Sequence, residues 1–153
     1  MKDPKTVLQT IYDEDPSFLI AISIDEATGK IVACTERTVR VYRPYGHDEG
    51  DLKWSLQGAV EGELNARPVT TLSWGGAGEL LVGNSSLALY TTEDEIQCIW
   101  TKPLASPTKF AALSYDSGYI SSTGTYDRLV KLWRRLTFGV QVGRFYQTLV
   151  VEA

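Results

Sequence analysis

Few residues in this chain of 153 could carry out catalysis. Its single histidine, His47, lies in a loop rich in Gly and Pro beside the acidic residues Asp48 and Glu49, and no nucleophile motif accompanies it. A Ser-His-Asp triad is recognised by the geometry of its members rather than by their presence in a sequence. The sequence therefore predicts a solvated loop residue at His47, no catalytic residue and no enzyme activity.

Metal and cofactor sites have equally little support. Cys34 and Cys98 are a sparse pair within predicted strands, and a metal site would need further ligands nearby, so we expect two buried free thiols. Gly75, Gly76 and Gly78 resemble a phosphate-binding loop in composition, but they join two predicted strands instead of opening a helix. This position favours a hairpin turn. The sequence predicts no cofactor and no metal.

Charge and aromatic positions argue against nucleic acid as a partner. The net charge of −4 gives no attraction for phosphate backbones. The four tryptophans could stack bases, but their matching positions at strand ends favour packing within the fold. They are Trp54, Trp74, Trp100 and Trp133.

One basic cluster leaves two interpretations open. It could contact an acidic partner or a lipid headgroup, although scattered charges that discourage edge pairing of strands are the commoner explanation. Its members are Arg128, Lys131, Arg134 and Arg135.

The strongest pattern is a turn residue followed six positions later by an aromatic residue that closes a short apolar strand. Carboxylate and amide side chains in a turn accept backbone N–H bonds, and the alternation of the strand lets its residues face two neighbours. The three pairs are Asp127 with Trp133, Asn84 with Tyr90, and Glu36 with Tyr42. The closing aromatics are 48 and then 43 residues apart. Four-stranded propeller units repeat at roughly 40 to 50 residues, so we expect these six residues to be a structural signature of such units.

The pattern predicts an all-β chain, because no segment has a sustained apolar pattern at helical spacing. We expect a partial β-propeller of three four-stranded antiparallel blades, at 18–57, 69–101 and 110–145. The segment 5–12 is predicted to be a lone outer strand of a missing blade, and 146–153 a divergent tail. A sandwich would not explain third strands that end in an aromatic residue at this period.

With its turn Asp and final Trp, the segment DRLVKLW resembles the WD-repeat signature, and ERTVRVY and NSSLALY are degenerate versions of it. Over most of the chain, the segments IDEATGKIVACTERTVRVYRPYG, LKWSLQ and STGTYDRLVKLWRRLTFG resemble the N-terminal propeller of the large subunit of the fungal RAVE complex, akin to DmX-like proteins or rabconnectins. The resemblance implies a protein-binding scaffold that promotes assembly of the vacuolar proton ATPase. Its implied partners are RAVE subunits and the peripheral sector of that ATPase.

The N-terminus lacks an apolar run, and nowhere are 18 consecutive residues apolar. The sequence therefore predicts no transmembrane segment and a cytoplasmic location, with peripheral association at endosomal or vacuolar membranes if the family resemblance carries over.

Three blades form an arc, since propellers close with about four to eight. We expect strands at 19–24 and 129–133 to expose apolar residues on the two end faces, through which the chain could self-associate. Two alternatives stay open: a truncated WD-repeat product with no stable independent function, and a WD-repeat adaptor of another complex.

Overall fold

The computed structural model describes residues 9–11, 17–36, 38–46, 51–60, 68–136 and 144–152. These residues contain twelve β-strands, and their helical content is limited to short 3-10 turns such as Gly76–Gly78. The predicted all-β fold is confirmed.

The strands form three four-stranded antiparallel sheets, each in chain order. Sheet 1 consists of β1 (Ala21–Ile24), β2 (Ile31–Cys34), β3 (Val39–Tyr45) and β4 (Lys53–Val60). Sheet 2 consists of β5 (Thr71–Trp74), β6 (Glu79–Gly83), β7 (Ser86–Thr91) and β8 (Gln97–Pro103). Sheet 3 consists of β9 (Thr108–Leu113), β10 (Tyr119–Gly124), β11 (Leu129–Arg135) and β12 (Phe145–Glu152).

The first strands of the three sheets adjoin one another. Strand β5 contacts both β1 and β9. Side chains of β5 hydrogen-bond to the neighbouring backbones: Ser73 Oγ accepts the N–H of Leu113 at 2.9 Å, and Trp74 Nε1 donates to the carbonyl of Ser23 at 3.3 Å. The sheets therefore fan out from these inner strands, and β4, β8 and β12 are their outer strands.

Two apolar cores separate the sheets. Because side chains alternate along a strand, each sheet has a front face toward the preceding sheet and a back face toward the following one. The first core joins the back of sheet 1, including Val32 and Val41, to the front of sheet 2, including Leu80 and Tyr90. The second core joins the back of sheet 2 to the front of sheet 3, and it contains Leu81, Leu87, Leu89, Leu113, Ile120, Trp133 and Phe145.

Each outer strand carries a β-bulge at the same place. The register shifts immediately before the closing aromatics Tyr42, Tyr90 and Trp133. The extra residue on the outer strand is Gln57 in β4, Ile99 in β8 and Thr148 in β12. A bulge bends a strand and increases its twist. Since the three sheets share this irregularity, positions can be compared between them.

The turn at Gly75, Gly76 and Gly78 joins the antiparallel strands β5 and β6, so the hairpin interpretation is confirmed. A Cβ on Gly75 would lie 2.3 Å from Ser117 Oγ. Glycine is therefore required there because the turn of sheet 2 lies directly against a turn of sheet 3. The N–H of Gly76 donates to Ser117 Oγ at 2.7 Å.

Several boundaries differ from the sequence prediction. The last strand runs from Phe145 to Glu152, whereas we expected a strand at about 140–145 followed by a divergent tail at 146–153. Its aromatic and β-branched residues favour a strand, and they pair with β11 along its whole length. Strand β4 continues to Val60, three residues beyond the predicted end of the first blade. Residues 140–143 lie outside the described residues.

One further prediction needs correction, and another falls mostly outside the described residues. Cys34 is a buried free thiol as expected, but Cys98 is exposed, because it lies on the outer strand β8. Of the predicted strand 5–12, the structure describes only residues 9–11, which are not in a strand.

Candidate protein-interaction surfaces

The signature turn of sheet 3 is held by Asp127. Its Oδ1 accepts the N–H of Leu129 at 3.1 Å and that of Gly124 at 3.3 Å, so one carboxylate joins the end of β10 to the start of β11. At the other end of β11, Trp133 Nε1 donates to Ser122 Oγ at 3.0 Å in a buried position. The buried indole N–H of Trp133 is therefore satisfied by a side chain of the neighbouring strand β10.

Asn84 links two sheets. Its Oδ1 accepts the N–H of Ser86 at 3.2 Å, while its backbone carbonyl accepts the N–H of Thr108, the first residue of β9, at 2.7 Å. Asn84 is buried, whereas Glu36, at the matching position of sheet 1, is exposed. A buried turn residue in sheet 2 thus also fixes the entry into sheet 3.

The three closing aromatics have the same place in their sheets but different surroundings. Tyr90 and Trp133 are each 3% exposed and face the preceding sheet. Tyr42 faces the front of sheet 1, where no other sheet of the described chain lies, and it lines a groove of about 370 Å³ together with Ile22 and Ile31. The front of sheet 1 is therefore open.

The back of sheet 3 is open in the same way. Leu87 in sheet 2 is fully buried, but Val130, its counterpart in sheet 3, is 36% exposed. On the two open faces, Ile22 is 70% exposed and Phe110 is 65% exposed. The prediction that strands of the end sheets expose apolar residues is confirmed.

Residues 9–11 lie beside the open front of sheet 1. The side-chain amide of Gln9 donates to the carbonyl of Trp54 at 2.9 Å and accepts the N–H of Trp54 at 2.8 Å. Gln57, in the outer strand of sheet 1, contacts the connection between β7 and β8 of sheet 2, where its Nε2 donates to the carbonyls of Thr92 and Asp94 at 2.5 and 3.0 Å. Glutamine side chains thus contact the backbone of the following blade both before sheet 1 and between sheets 1 and 2.

The four basic residues do not form one patch. Arg135 pairs with Glu79 across sheets 2 and 3, with N–O distances of 2.6 and 2.8 Å, and both side chains are largely shielded from solvent. Lys131 shares the front face of β11 with Arg135, whereas Arg134 lies on the back face. Arg128 is exposed just before β11 begins.

The perturbed ionisable groups have structural explanations. Burial raises the pKa of the Cys34 thiol to about 11. Burial, with a smaller effect from Arg43, lowers the pKa of Lys30, whose Nζ donates to Thr92 Oγ1 at 3.1 Å across sheets 1 and 2. A hydrogen bond from the hydroxyl of Ser114 lowers the pKa of Asp116 in an exposed turn.

No group of three or more His, Cys, Asp and Glu side chains in the described part of the chain could hold a metal ion. His47 lies outside that part.

Comparison with known proteins supports both the fold and the resemblance. No family model matches the sequence. The propeller domain of Myceliophteria thermophila Cps50 (Swd1) superimposes with a TM-score of 0.63 at 15% identity, covering 87% of this chain and 38% of that one. Kluyvelomyces marxianus Hsv2 gives a TM-score of 0.66 at 9% identity, covering 91% of this chain and 50% of that one. The fold is a partial β-propeller of three blades. Sheets 1 to 3 are its blades 1 to 3.

The relatives in sequence are regulators. The chain is 27% identical over 150 residues to "Regulator of V-ATPase in vacuolar membrane protein 1" of Saccharomyces cerevisiae, covering 95% of this chain and 11% of the relative. The protein of the same name from Schizosaccharomyces pombe is 27% identical over 118 residues, covering 75% of this chain and 9% of the relative. The predicted resemblance is confirmed, and the chain spans about a tenth of the length of these relatives.

Within the residues that the structure describes, no helix has the length and apolar character needed to cross a membrane.

Proposed function

We propose that this chain is a non-catalytic, protein-binding scaffold that takes part in assembly of the vacuolar proton ATPase. Its partners in this proposal are RAVE subunits and the peripheral sector of the ATPase, which it meets on the cytoplasmic side of vacuolar or endosomal membranes. The observation that carries the proposal is the similarity, over 95% of the chain, to a protein named as a V-ATPase regulator.

The geometry supports a role in positioning other proteins. Bonds between blades, such as those of Ser73 and Asn84, fix the blades relative to one another. A scaffold of this kind holds its loops and faces at set separations and needs no reacting side chain. In this proposal the six signature residues have structural roles, and one of them, Tyr42, also lines the open groove at the front of blade 1.

The open front of blade 1 and the open back of blade 3 are the proposed binding faces. Covering a few hundred Å² of apolar surface at ~25 cal/mol per Å² contributes roughly 10 kcal/mol, which is comparable to the stability of a whole domain. Large exposed apolar patches mark sites of protein association. Ile22 on one face and Phe110 on the other are the most exposed anchors of their strands.

We also propose that residues 5–12 are the outer segment of a further blade, of which the described residues 9–11 are not in a strand. Support comes from Gln9, whose side-chain amide makes two hydrogen bonds with the backbone of Trp54 in the outer strand of blade 1. The proposed ranges of the three blades remain 18–57, 69–101 and 110–145, and β12 extends blade 3 to Glu152.

Co-purification tests the proposal. The tagged chain is expressed in Saccharomyces cerevisiae, and bound proteins are identified by mass spectrometry. We expect peripheral ATPase subunits with the natural chain and their loss with the double variant Ile22→Asp and Phe110→Asp. The matched control is Glu36→Lys, because Glu36 is exposed outside both faces. Recovery of no ATPase subunit and no assembly factor with the natural chain would refute the proposal.

A further inference from the structure

The outer strands of blades 2 and 3 enclose a groove of about 750 Å³, here called the outer groove. It lies between β8 and β12, where the two sheets diverge from their shared core. The side chains that define it are Trp100, Lys102, Trp133, Arg144, Phe145 and Gln147.

An aromatic pair forms the contact between the two sheets here. Trp100 pairs with Leu89, the residue that precedes the closing aromatic of blade 2. The matching residue in blade 1 is Gly58, which pairs with Val41, the residue that precedes the closing aromatic of that blade. Against Gly58 lies Ile96, whose Cδ1 would be 3.0 Å from a Cβ at that position. In the outer groove, Trp100 instead meets Phe145, with ring centroids 5.0 Å apart.

The comparison has a steric consequence. Where blades 1 and 2 close through a glycine and an isoleucine, blades 2 and 3 must accommodate two aromatic rings. Trp133 adds a third ring, 6.1 Å from Trp100 in an edge-on arrangement. Phe145 and Trp133 are buried, while Trp100 is half-buried, so the floor of the groove is an apolar surface that solvent reaches at Trp100.

The rim of the groove is basic. Lys102 and Arg144 are exposed at its sides, and none of the described residues that line it is Asp or Glu. Arg135, which lies 5.7 Å from the Phe145 ring, is paired with Glu79. In a chain with a net charge of −4, this is a local surface that attracts negative charge.

The outer strands also offer backbone groups. Strands β8 and β12 are the last in their sheets, so each has an edge that no strand of its sheet covers. In blade 1, the Gln9 amide binds the backbone N–H and carbonyl of Trp54 in the outer strand β4. The backbone groups of an outer strand are therefore open to hydrogen bonds from another segment, and a partner that runs along the edge of β8 or β12 could use them while its side chains enter the groove.

We propose that the outer groove binds an extended acidic segment of a partner protein, which inserts a large apolar side chain against Trp100 and Phe145 and places carboxylates near Lys102 and Arg144. Aromatic floors with a charged rim are typical of peptide-binding hot spots. The proposal goes beyond the proposed function, because it does not depend on which complex the chain joins.

The test uses the purified chain and three fluorescein-labelled eight-residue peptides, with binding followed by fluorescence anisotropy. One peptide alternates Glu with Phe, one alternates Lys with Phe, and one alternates Glu with Ser. We expect the Glu–Phe peptide to bind at least tenfold more tightly than either of the others. Equal affinities for the three peptides, or binding to none, would overturn the proposal.

Variants locate the binding. Lys102→Glu with Arg144→Glu should weaken the Glu–Phe peptide roughly tenfold, the change expected for two exposed charge pairs, and strengthen the Lys–Phe peptide. Trp100→Gly, which copies Gly58, should abolish binding by removing the floor. The matched control is Lys109→Glu, because Lys109 lies beside Phe110 and outside the groove.

A second measurement separates loss of binding from loss of fold. The chain has four tryptophans, so its two-dimensional NMR spectrum should show four indole N–H signals. The Glu–Phe peptide should shift the Trp100 signal, assigned from the Trp100→Gly spectrum, and leave that of Trp54 in blade 1 unchanged. Equal shifts of the Trp100 and Trp54 signals would place the binding elsewhere and overturn the proposal. So would an unchanged affinity of the charge-reversed variant for the Glu–Phe peptide, provided that the four indole signals of the variant persist.

Discussion

The three closing aromatics provide an internal test of which faces are covered. Tyr42 and Tyr90 are the same residue type, lie in the third strand of their blades and directly follow a register shift, but Tyr90 is 3% exposed in a core and Tyr42 faces an open groove. Truncating a buried aromatic residue to alanine costs about 3–5 kcal/mol. For Tyr42→Ala we expect a smaller loss of stability, about 1–2 kcal/mol, because solvent can fill the space that is left and no facing sheet loses contacts.

The measurement is urea unfolding of the natural chain, Tyr42→Ala and Tyr90→Ala, followed by tryptophan fluorescence and by circular dichroism. For a chain of this size, with a denaturant slope of about 2 kcal/mol per M, a difference of about 2 kcal/mol separates the two midpoints by roughly 1 M. Tyr42→Phe serves as the control for loss of the hydroxyl alone. A Tyr42→Ala variant as unstable as Tyr90→Ala would refute the open front of blade 1.

The remaining predictions concern single side chains. Arg135→Met should lower the free energy of unfolding by about 2 kcal/mol in thermal or urea melts, because it leaves Glu79 shielded and unpaired. The exchange Arg135→Glu with Glu79→Arg should restore part of the loss. An unchanged free energy of unfolding in Arg135→Met would contradict this. Asp127→Ala should cost about 1 kcal/mol and Asp127→Asn less, since the amide oxygen can still accept both N–H bonds, and equal losses would count against that geometry. At pH 8, Ellman's reagent should modify Cys98 rapidly and Cys34 only after unfolding. Since burial raises the pKa of Cys34 from 9.0 to about 11, its contribution to stability is complete below pH 9 and is lost between pH 9 and 11, which melts of the natural chain and Cys34→Ala across that range would detect.

Much of the fold could be predicted because the signature is local. The six-residue spacing from Asp127 to Trp133 records a turn, an alternating strand and a closing aromatic, and these are set by neighbouring residues. The regular return of that spacing at Tyr90 and Tyr42 gave the number of sheets and their order.

Features that depend on contact between sheets were harder to predict. Cys98 has a strand-like sequence context, but its exposure follows from the position of β8 at the outside of its sheet. The bulges at Gln57, Ile99 and Thr148 have no common residue type, so no sequence signal identifies them.

The candidate sites were predicted in part. Apolar residues were correctly expected on the end faces, since three blades cannot cover both. The outer groove could not be predicted, because the matching positions of the four tryptophans favour blade packing for Trp100. Comparison of aligned outer strands would have shown Trp100 in the place of Gly58, but that alignment requires the bulge at Ile99 to be known.

The central claim is that two buried cores lie between two open end faces. Carbene footprinting of the dilute chain tests it most directly. A photoactivated diazirine labels side chains in proportion to their exposure, and mass spectrometry locates the label. The account predicts strong labelling of Ile22 and Phe110 and almost none of Val41 and Leu89. Labelling of Ile22 and Phe110 as weak as that of Leu89 would contradict it.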